Sequence, residues 1–551
     1  MKKSLLLFCC TLSFCLASAQ KPPRINKYWV EFTDKNNSPY CTCRPAEFLS
    51  LHALARRDRA GIAVVENDLP VNPVYVSALL AKGVQLHGTS RWLNAATVTG
   101  DSATASRLAA LPFVKSVRYI GRHLKYRNPP NQPAKKRKPL PDYPQPGGTD
   151  NPLGYASRQN DLLGLPPLYA AGHRGAGIRI AVLDGGFTNV DTMPFFDSIA
   201  LQGRLIVGQD LVERDASLFE AAMHGTSVLS VMAANLPGYF IGTAPDATYY
   251  LLKTEDTGGE YPVEEANWIA GAEWADSAGV DIINASLGYT HFTDTTLNHR
   301  YASLDGRTAI ASRGAVIAAT KGMIICNSAG NEGDGSWHFI GVPADAPGLI
   351  AVGAVDYDGQ RAAFSSFGPT PDGRIKPDLV APGEQVVTAG NKGTELGLSS
   401  GTSLASPMLA GAIASLWSAY PDKTAADILD AVFQSADQAG RPDNERGFGL
   451  PDMTTAWLRL GGFTGGHSTF AFDRAAGELT LLLADSDRAR GFRVELQDVY
   501  GRSVGYFPAT FTKQAIATLK VTGLAQVPAG PYQLVWQDRQ QLERKIVLLG
   551  R

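Results

Sequence analysis

Five short apolar runs alternate with helix-like segments between residues 154 and 460, and this alternation constrains the fold more than any other feature. The runs have the length and composition of buried strands: Ile178–Leu183, Thr248–Leu252, Asp281–Asn284, Met323–Cys326 and Leu349–Val352. The helix-like segments include Ala266–Ser277, Ala311–Lys321 and the stretch from Pro407 to Tyr420. Such alternation is typical of a parallel sheet covered by helices. We therefore predict an α/β domain over residues 154–460.

The flanking regions have different patterns. Residues 26–120 combine short apolar runs with helix-like segments, which predicts a small α+β domain. Residues 121–153 carry the basic run Lys135–Lys138 among prolines and are predicted to be a linker. Residues 461–551 contain short β-type runs separated by turn residues, which predicts a small all-β domain. Several domains are expected in 551 residues because single cores stop growing near roughly 250–300 residues.

Residues 1–19 have the basic, apolar and small-residue regions of a secretory signal peptide. Lys2 and Lys3 precede the apolar run Leu5–Leu16, which is followed by Ala17–Ala19. A membrane anchor is the alternative, but this run is shorter than the about 20 apolar residues that span a bilayer. We expect a mature protein that is secreted or held at the cell surface and has no transmembrane segment.

The charge of the chain points to no particular partner. Lys and Arg number 51 against 52 Asp and Glu, which gives a formal net charge of −1 and no global field that favours nucleic acid or an anionic membrane. The basic run Lys135–Lys138 has few aromatic neighbours, so we predict no nucleic-acid binding. That run is either a solvated tether or a site where proteases cut the chain during maturation.

The cysteines do not predict a disulfide framework. Three of the six lie in the predicted signal peptide, Cys41 and Cys43 are too close in sequence to staple a domain, and Cys326 would stand alone. Stability is therefore expected to come from packing.

Two polar residues follow or precede apolar segments in a way that suits acid–base chemistry. Asp184 ends an apolar strand, and a carboxylate is costly to bury there without a partner, so it is a candidate for orienting a histidine. A helix cap is the alternative for Asp184. His224 stands before Gly225 at the start of an apolar helix, where a general base is accessible, although a structural histidine would give the same pattern.

Ser403 and Asn331 are the candidates for nucleophile and oxyanion donor. Ser403 lies in a small-residue turn that enters an apolar helix, where free N–H groups favour a developing oxyanion, and Pro407 is expected in the first turn of that helix. Asn331 follows a buried strand on a glycine-flanked loop, from which its NH2 group can donate. The alternatives are a serine N-cap and a turn asparagine.

Asp184, His224, Asn331 and Ser403, in this order and in these local contexts, resemble the subtilisin-like (S8) serine proteases. The resemblance spans about Tyr155 to Leu460. It implies an Asp-His-Ser triad with an asparagine oxyanion donor, and a substrate-binding wall in which Ser286, Leu287 and Gly288 pair with the substrate backbone. Two positions depart from the usual family pattern: Leu404 replaces a frequent methionine, and Ser227 replaces a frequent second histidine.

The resemblance also gives expectations for both ends of the chain. The 26–120 domain fits a prodomain that assists folding and blocks the cleft, with a permanent accessory domain as the alternative. Residues 461–551 resemble the sorting domains that Bacteroidetes-type bacteria use for type IX secretion, through Val494–Arg502, Pro528–Tyr532 and Lys545–Leu548. The opening Asn-Pro signature of those domains is missing, so a carbohydrate- or substrate-binding β-sandwich is the alternative.

The activity that the resemblance implies is hydrolysis of peptide bonds in proteins through an acyl-enzyme. No cofactor is required for this chemistry, and structural calcium is an expectation without assigned ligands. The expected partners are protein or peptide substrates and, through the C-terminal domain, a secretion machinery. Two other functions remain open: an inactive scaffold or adhesion protein, and an enzyme that joins or cyclises peptides at the same site.

Overall fold

The computed structural model describes three units of the chain. The described residues are 26–122, 152–214, 217–460, 470–473, 478–483, 492–498, 502–513, 517–528, 530–538 and 541–549. The predicted signal peptide and most of the predicted linker, including Lys135–Lys138, lie outside the described residues.

Residues 26–122 form the N-terminal unit, an antiparallel four-stranded sheet with helices. Strand Asn26–Phe32 lies between Ala95–Gly100 and the edge strand Val114–Arg122, and Gln85–Ser90 forms the other edge. The helices and 3-10 turns are Pro45–Glu47, Leu51–Arg59, Glu66–Asp68, Pro73–Leu80 and Ser102–Ala109. The three α-helices begin after Ser50, Asn72 and Asp101, whose side chains accept hydrogen bonds from N–H groups of the first turn. The prediction of an α+β unit is confirmed.

The sheet of the N-terminal unit buries both of its faces because successive side chains of a strand point in opposite directions. Tyr28 and Val30 belong to the unit's own core, with Leu79 and Leu108 from its helices. Trp29 points the other way and joins a core cluster of the central domain. The N-terminal unit is therefore packed on the central domain rather than tethered to it.

Residues 152–460 form the central domain, built on a seven-stranded sheet. In spatial order the strands are Leu379–Pro382, Ile350–Val355, Ile324–Ser328, Ile282–Ala285, Arg179–Asp184, Thr248–Lys253 and Leu205–Asp210. All paired neighbours are parallel. The predicted strands are all present, so the parallel α/β fold is confirmed. Sequence analysis missed two members, Leu205–Asp210 and Leu379–Pro382.

Helices cover both faces of this sheet. Along strand Arg179–Asp184, Ile180 and Val182 pack in one cluster with helices His224–Ala233 and Thr402–Ser418, and Ala181 and Leu183 pack in another with Val263–Ala278 and Ile310–Ala319. Burial on both faces explains why the strands are continuously apolar.

The central domain also contains several further helices and two short strand pairs. The other helices and 3-10 turns are Ser157–Asp161, Pro166–Ala170, Pro194–Phe196, Asp197–Leu201, Thr295–Leu297, Tyr301–Ser303, Ala425–Ser435 and Met453–Arg459. Two antiparallel strand pairs complete it: Asn235–Leu236 with Phe240–Ile241, and Val386–Ala389 with Leu396–Ser399. No described helix combines the length and apolar character needed to cross a membrane.

The described C-terminal segments form a seven-stranded sheet with antiparallel neighbours. In spatial order the strands are Phe470–Asp473, Glu478–Leu483, Ala517–Val521, Ser503–Lys513, Phe492–Gln497, Gly530–Asp538 and Gln541–Leu549. This is the all-β character that the sequence predicts for the region.

The cysteines add one structural detail, and one local expectation needs correction. Cys41 and Cys43 are bonded to each other, although a bridge across two positions links no distant elements, and Cys326 is free and buried. Pro407 does not lie in the first turn: the helix begins at Thr402, so Pro407 is inside it. A helical proline leaves the carbonyl four residues earlier without its N–H partner, and here that carbonyl belongs to Ser403.

Candidate active site

Three of the predicted site residues lie at element ends on one edge of the central sheet. Asp184 is the last residue of its strand, His224 is the first residue of helix His224–Ala233, and Ser403 is the second residue of helix Thr402–Ser418. Open α/β sheets place ligand sites beyond the carboxyl ends of their strands. The topology therefore gathers these residues where a site is expected.

Asp184 and His224 form a direct hydrogen-bonded pair. The Asp184 side chain is buried, and both of its carboxylate oxygens lie 2.9 Å from His224 Nδ1. Asp184 Oδ1 also accepts the N–H of Gly185 at 2.8 Å. Because a carboxylate only accepts, Nδ1 carries the proton, and in the neutral ring Nε2 keeps its lone pair. This is the tautomer that a general base needs.

The pair depends on close packing of the helix against the strand end. A Cβ atom at position 225 would lie 2.3 Å from the carbonyl oxygen of Gly186 and 3.0 Å from Asp184 Cβ. Only glycine fits this contact, so Gly225 sets the distance at which His224 meets Asp184.

The surroundings of His224 favour its charged form. Desolvation of the ring acts to lower the pKa of His224, but the negative charge of Asp184, its hydrogen bond and the charge of Glu255 together raise the pKa above its ordinary value. The side chain remains 45% exposed, so the ring is reachable from the cleft.

Ser403 is held by its backbone. Its carbonyl oxygen, which Pro407 leaves without a helical donor, accepts a hydrogen bond from Ser286 Oγ at 2.8 Å. One turn later, Ser406 Oγ donates to Asn284 Oδ1 at 2.7 Å. These two bonds attach the start of the helix to the end of strand Ile282–Ala285. Ser403 is half-buried, and its N–H belongs to the first turn, where N–H groups lack helical partners.

Asn331 is oriented by its amide oxygen. Oδ1 accepts from the N–H of Thr402 at 2.8 Å and from Thr402 Oγ1 at 3.0 Å. With the oxygen bound to the helix that carries Ser403, the NH2 group remains available to another acceptor.

The segment Ser286–Gly288 follows strand Ile282–Ala285 and is not itself paired as a strand. The Leu287 carbonyl accepts from Asn327 Nδ2 at 2.9 Å and from Ser328 Oγ at 3.1 Å. A Cβ atom on Gly288 would meet nothing within 4 Å, which leaves its backbone open on one side.

All seven predicted residues line one cavity of about 590 Å³: Asp184, His224, Ser286, Leu287, Gly288, Asn331 and Ser403. The structure thus brings together stretches that are far apart in sequence. The catalytic and binding roles of these residues remain predictions.

Sequence analysis missed a group of acidic residues in the same cavity. Glu255, Glu260 and Glu264 lie on its lining, and their carboxylate oxygens are within 4.8 Å of one another. The signal was present in the sequence as an acid-rich segment directly after strand Thr248–Lys253, whose carboxyl end faces the site.

Crowding and burial make these carboxylates hard to ionise. Burial, followed by the charge of Glu260, raises the pKa of Glu255 to about 8, and burial raises the pKa of Glu260 to about 7. Burial also raises the pKa of Glu264 well above its ordinary value. Each carboxylate would gain from a nearby positive charge.

The same three residues are the only described group of acidic, histidine or cysteine side chains spaced to hold a metal ion. Acidic groups at such spacing are common in proteins without an ion. Structural calcium therefore remains a prediction without assigned ligands.

Comparison with known proteins gives the family. Residues 175–450, about half of the chain, match the subtilase family, peptidase S8. Residues 27–138 match the peptidase S8 propeptide domain of Bacteroidota.

Two sequence relatives agree with this match. Subtilisin NAT of Bacillus subtilis subsp. natto is 33% identical over 281 residues, and the match spans 50% of this chain and 64% of that protein. Subtilisin of Bacillus pumilus is 32% identical over 281 residues, and the match spans 50% of this chain and 89% of that protein. The solved structure of MycP1 without its N-terminal propeptide aligns with 54% of this chain and 96% of that chain, at 22% identity and a TM-score of 0.44. The chain belongs to the subtilase family, with a propeptide domain of the Bacteroidota type ahead of the peptidase domain.

Proposed function

We propose that the protein is a secreted serine endopeptidase that hydrolyses peptide bonds in proteins. The observation that carries the proposal is the 2.9 Å contact of His224 Nδ1 with buried Asp184, in a cavity that Ser403 also lines. Membership of the subtilase family supports the same reaction.

In the proposed mechanism His224 acts first as a base and then as an acid. Nε2 takes the proton of Ser403 Oγ as that oxygen attacks the scissile carbonyl carbon, and the resulting imidazolium gives the proton to the leaving amine as the C–N bond breaks. Water then attacks the acyl-serine ester by the same route and frees Ser403 and the carboxylic acid product. Asp184 holds the tautomer and stabilises the imidazolium throughout.

The proposed oxyanion donors are Asn331 Nδ2 and the N–H of Ser403. Asn331 is suited to this role because its oxygen is held by Thr402, which leaves only donors for the substrate side. In subtilisin, loss of the corresponding type of donor lowers turnover by roughly 10²–10³. We expect a loss of that order for Asn331→Ala.

We also propose that the protein is made as a latent precursor and exported. The match of residues 27–138 to a propeptide domain supports latency. The signal-like residues 1–19 support export, and the β-rich region 461–551 is proposed to engage a secretion machinery.

The test compares wild type with Ser403→Ala on a library of unstructured peptides, followed by mass spectrometry, and with an active-site serine reagent. We expect hydrolysis products and covalent labelling in wild type and neither in the variant. Ser303→Ala, which changes a serine outside the cavity, is the matched control and should behave as wild type. Undiminished turnover of Ser403→Ala would rule out this nucleophile, and joined rather than cleaved products would indicate a ligase.

A further inference from the structure

The ionisable side chains that line the cleft are mostly acidic. Among the described residues, its lining contains six carboxyl side chains and no lysine or arginine, and the two lining histidines are the only other titratable groups. Three of the six carboxylates are the clustered Glu255, Glu260 and Glu264. This excess of acidic groups bears on which substrates the cleft accepts.

Two of the clustered glutamates have free acceptor atoms. Both oxygens of Glu264 accept backbone N–H groups, of Asp256 at 2.8 Å and Tyr261 at 3.0 Å, so Glu264 fixes the loop between them. Glu255 Oε1 accepts from Tyr289 at 2.7 Å and from Thr254 at 2.9 Å. Among the described residues, no hydrogen-bond or ion-pair partner contacts Glu255 Oε2 or the Glu260 carboxylate.

The N-terminal unit already presents a cation to this acidic segment. Lys27 is only 2% exposed, and no described residue forms a hydrogen bond or ion pair with its side chain. Burial lowers the pKa of Lys27, and the strongest opposing influences are the charges of Asp256 and Glu264. The side chain of Lys27 is therefore buried within electrostatic range of Asp256 and Glu264, together with Arg214 and Glu213, in a region that already accommodates a basic side chain.

The sequence that follows the N-terminal unit is complementary in charge. The described part of the N-terminal unit ends at Arg122, and a Cβ on the preceding Gly121 would lie 2.7 Å from Tyr261 Cβ, next to Glu260. From Arg122 to Lys138 the sequence contains seven Lys or Arg residues and no Asp or Glu. The first residue of this basic stretch, Arg122, thus follows a residue that packs against Tyr261, the neighbour of Glu260 in the sequence.

We propose that Glu255 and Glu260, held in place by Glu264, form a subsite that binds a Lys or Arg side chain of the substrate, so that the peptidase selects basic sequences. The inference rests on the proposed peptidase function and deepens it. The basic stretch 122–138 has the charge of such a substrate.

The test measures selectivity within each enzyme variant. We compare peptides that are identical except at one position, which holds Lys, Arg, Gln or Glu. The comparison is repeated for each position from four residues before the scissile bond to two residues after it. We expect kcat/KM for Lys or Arg to exceed that for Gln by at least about tenfold at one position. A tenfold ratio corresponds to about 1.4 kcal/mol of preferential transition-state binding.

Three variants assign the preference to the cluster. Glu260→Gln and Glu255→Gln should each reduce the Lys/Gln ratio at that position several-fold, and Glu260→Lys should shift the preference towards Glu peptides. Asp422→Asn removes one exposed carboxylate outside the cavity and is the matched control, which should keep the wild-type ratio. Each Lys/Gln ratio compares two peptides on the same enzyme preparation. A smaller fraction of folded protein lowers both rates equally and leaves the ratio unchanged.

The possible failures are distinguishable. Ser403-dependent hydrolysis with a Lys/Gln ratio near one at every position would overturn the basic subsite and leave the peptidase function standing. A ratio that is unchanged by all three cluster variants, or that appears only after calcium is added, would also overturn it. If no peptide is hydrolysed in a Ser403-dependent way, the proposed function fails and the subsite fails with it.

Discussion

At the residue scale, the hydrogen bond between Asp184 and His224 governs the chemistry that the site can perform. The carboxylate fixes the Nδ1–H tautomer at 2.9 Å and raises the pKa of the ring against the opposite effect of desolvation. The interaction with Asp184 favours the imidazolium during turnover. It therefore also sets the pH above which His224 is neutral and can act as a base.

This balance predicts how activity depends on pH. His224 must be neutral to accept the Ser403 proton, so kcat/KM should rise with pH through the raised pKa of His224 and fall as the solution becomes more acidic. Asp184→Asn removes the largest favourable charge, so it should move this midpoint to lower pH and lower kcat by roughly 10⁴ because the tautomer is no longer fixed.

The measurement is a pH profile of kcat/KM for both proteins on one neutral peptide. Glu445→Gln, which changes an exposed carboxylate outside the cavity, is the control and should leave the midpoint in place. An unshifted midpoint in Asp184→Asn would show that the titrating group is not this histidine.

At the element scale, the site depends on how closely helix His224–Ala233 approaches the end of strand Arg179–Asp184. Gly225 permits the contact, because any side chain there would overlap the Gly186 carbonyl at 2.3 Å. The Ser403 helix is positioned differently: Pro407 frees the Ser403 carbonyl, and Ser286 supplies the missing donor. The first junction requires a residue without a side chain, Gly225. The second depends on the Ser286 hydroxyl, which donates to the Ser403 carbonyl in place of the missing backbone N–H.

Gly225→Ala tests the first junction. The added methyl group must displace the helix or the glycine loop, so we expect about 1–3 kcal/mol of destabilisation together with a fall in kcat from the displaced His224. Gly440→Ala is a suitable control, because a Cβ there meets nothing within 4 Å. Thermal unfolding and peptide turnover measure the two effects, and a Gly225→Ala protein with wild-type values of both would contradict the packing argument.

At the scale of the whole molecule, the N-terminal unit is attached to the central domain by buried charges. Asp276, on helix Val263–Ala278, accepts from Arg56 at 2.5 Å, Arg57 at 2.7 Å and Arg91 at 2.8 Å, and its side chain is fully buried. Buried ion pairs add little net stability, but the removal of one partner leaves the other charges without compensation. The interface is therefore far less stable when one of these charges is missing than when all of them are present.

Asp276→Ala should weaken this interface by about 3–5 kcal/mol, because it leaves three buried guanidinium groups without their common carboxylate. Hydrogen exchange in the full-length Ser403→Ala chain measures the effect as lost protection of helix Leu51–Arg59. The control is Glu47→Ala, which breaks the exposed pair with Arg44 and should cost at most about 1 kcal/mol. Equal protection in the two variants would mean that the charges do not hold the units together.

Much of this organisation was predictable from the sequence, because it depends on local order. The apolar runs predicted five of the seven central strands, since a strand buried on both faces must be apolar throughout. Asp184, His224, Asn331 and Ser403 were identifiable because each stands beside glycine or small residues at the end of an apolar element. Leu205–Asp210 escaped detection because it is a half-buried edge strand that contains Gly208 and Gln209.

Only the tertiary structure decided which distant charges meet. The sequence alone determined the parallel fold and the polar residues at its strand ends, because periodicity and short motifs act over a few neighbouring positions. The clustering of Glu255, Glu260 and Glu264 in the cleft, the three arginines around Asp276 and the use of Ser286 to satisfy Ser403 depend on how the loops and units pack. Electrostatic and hydrogen-bond partners are chosen by distance in space, and no local pattern encodes that distance.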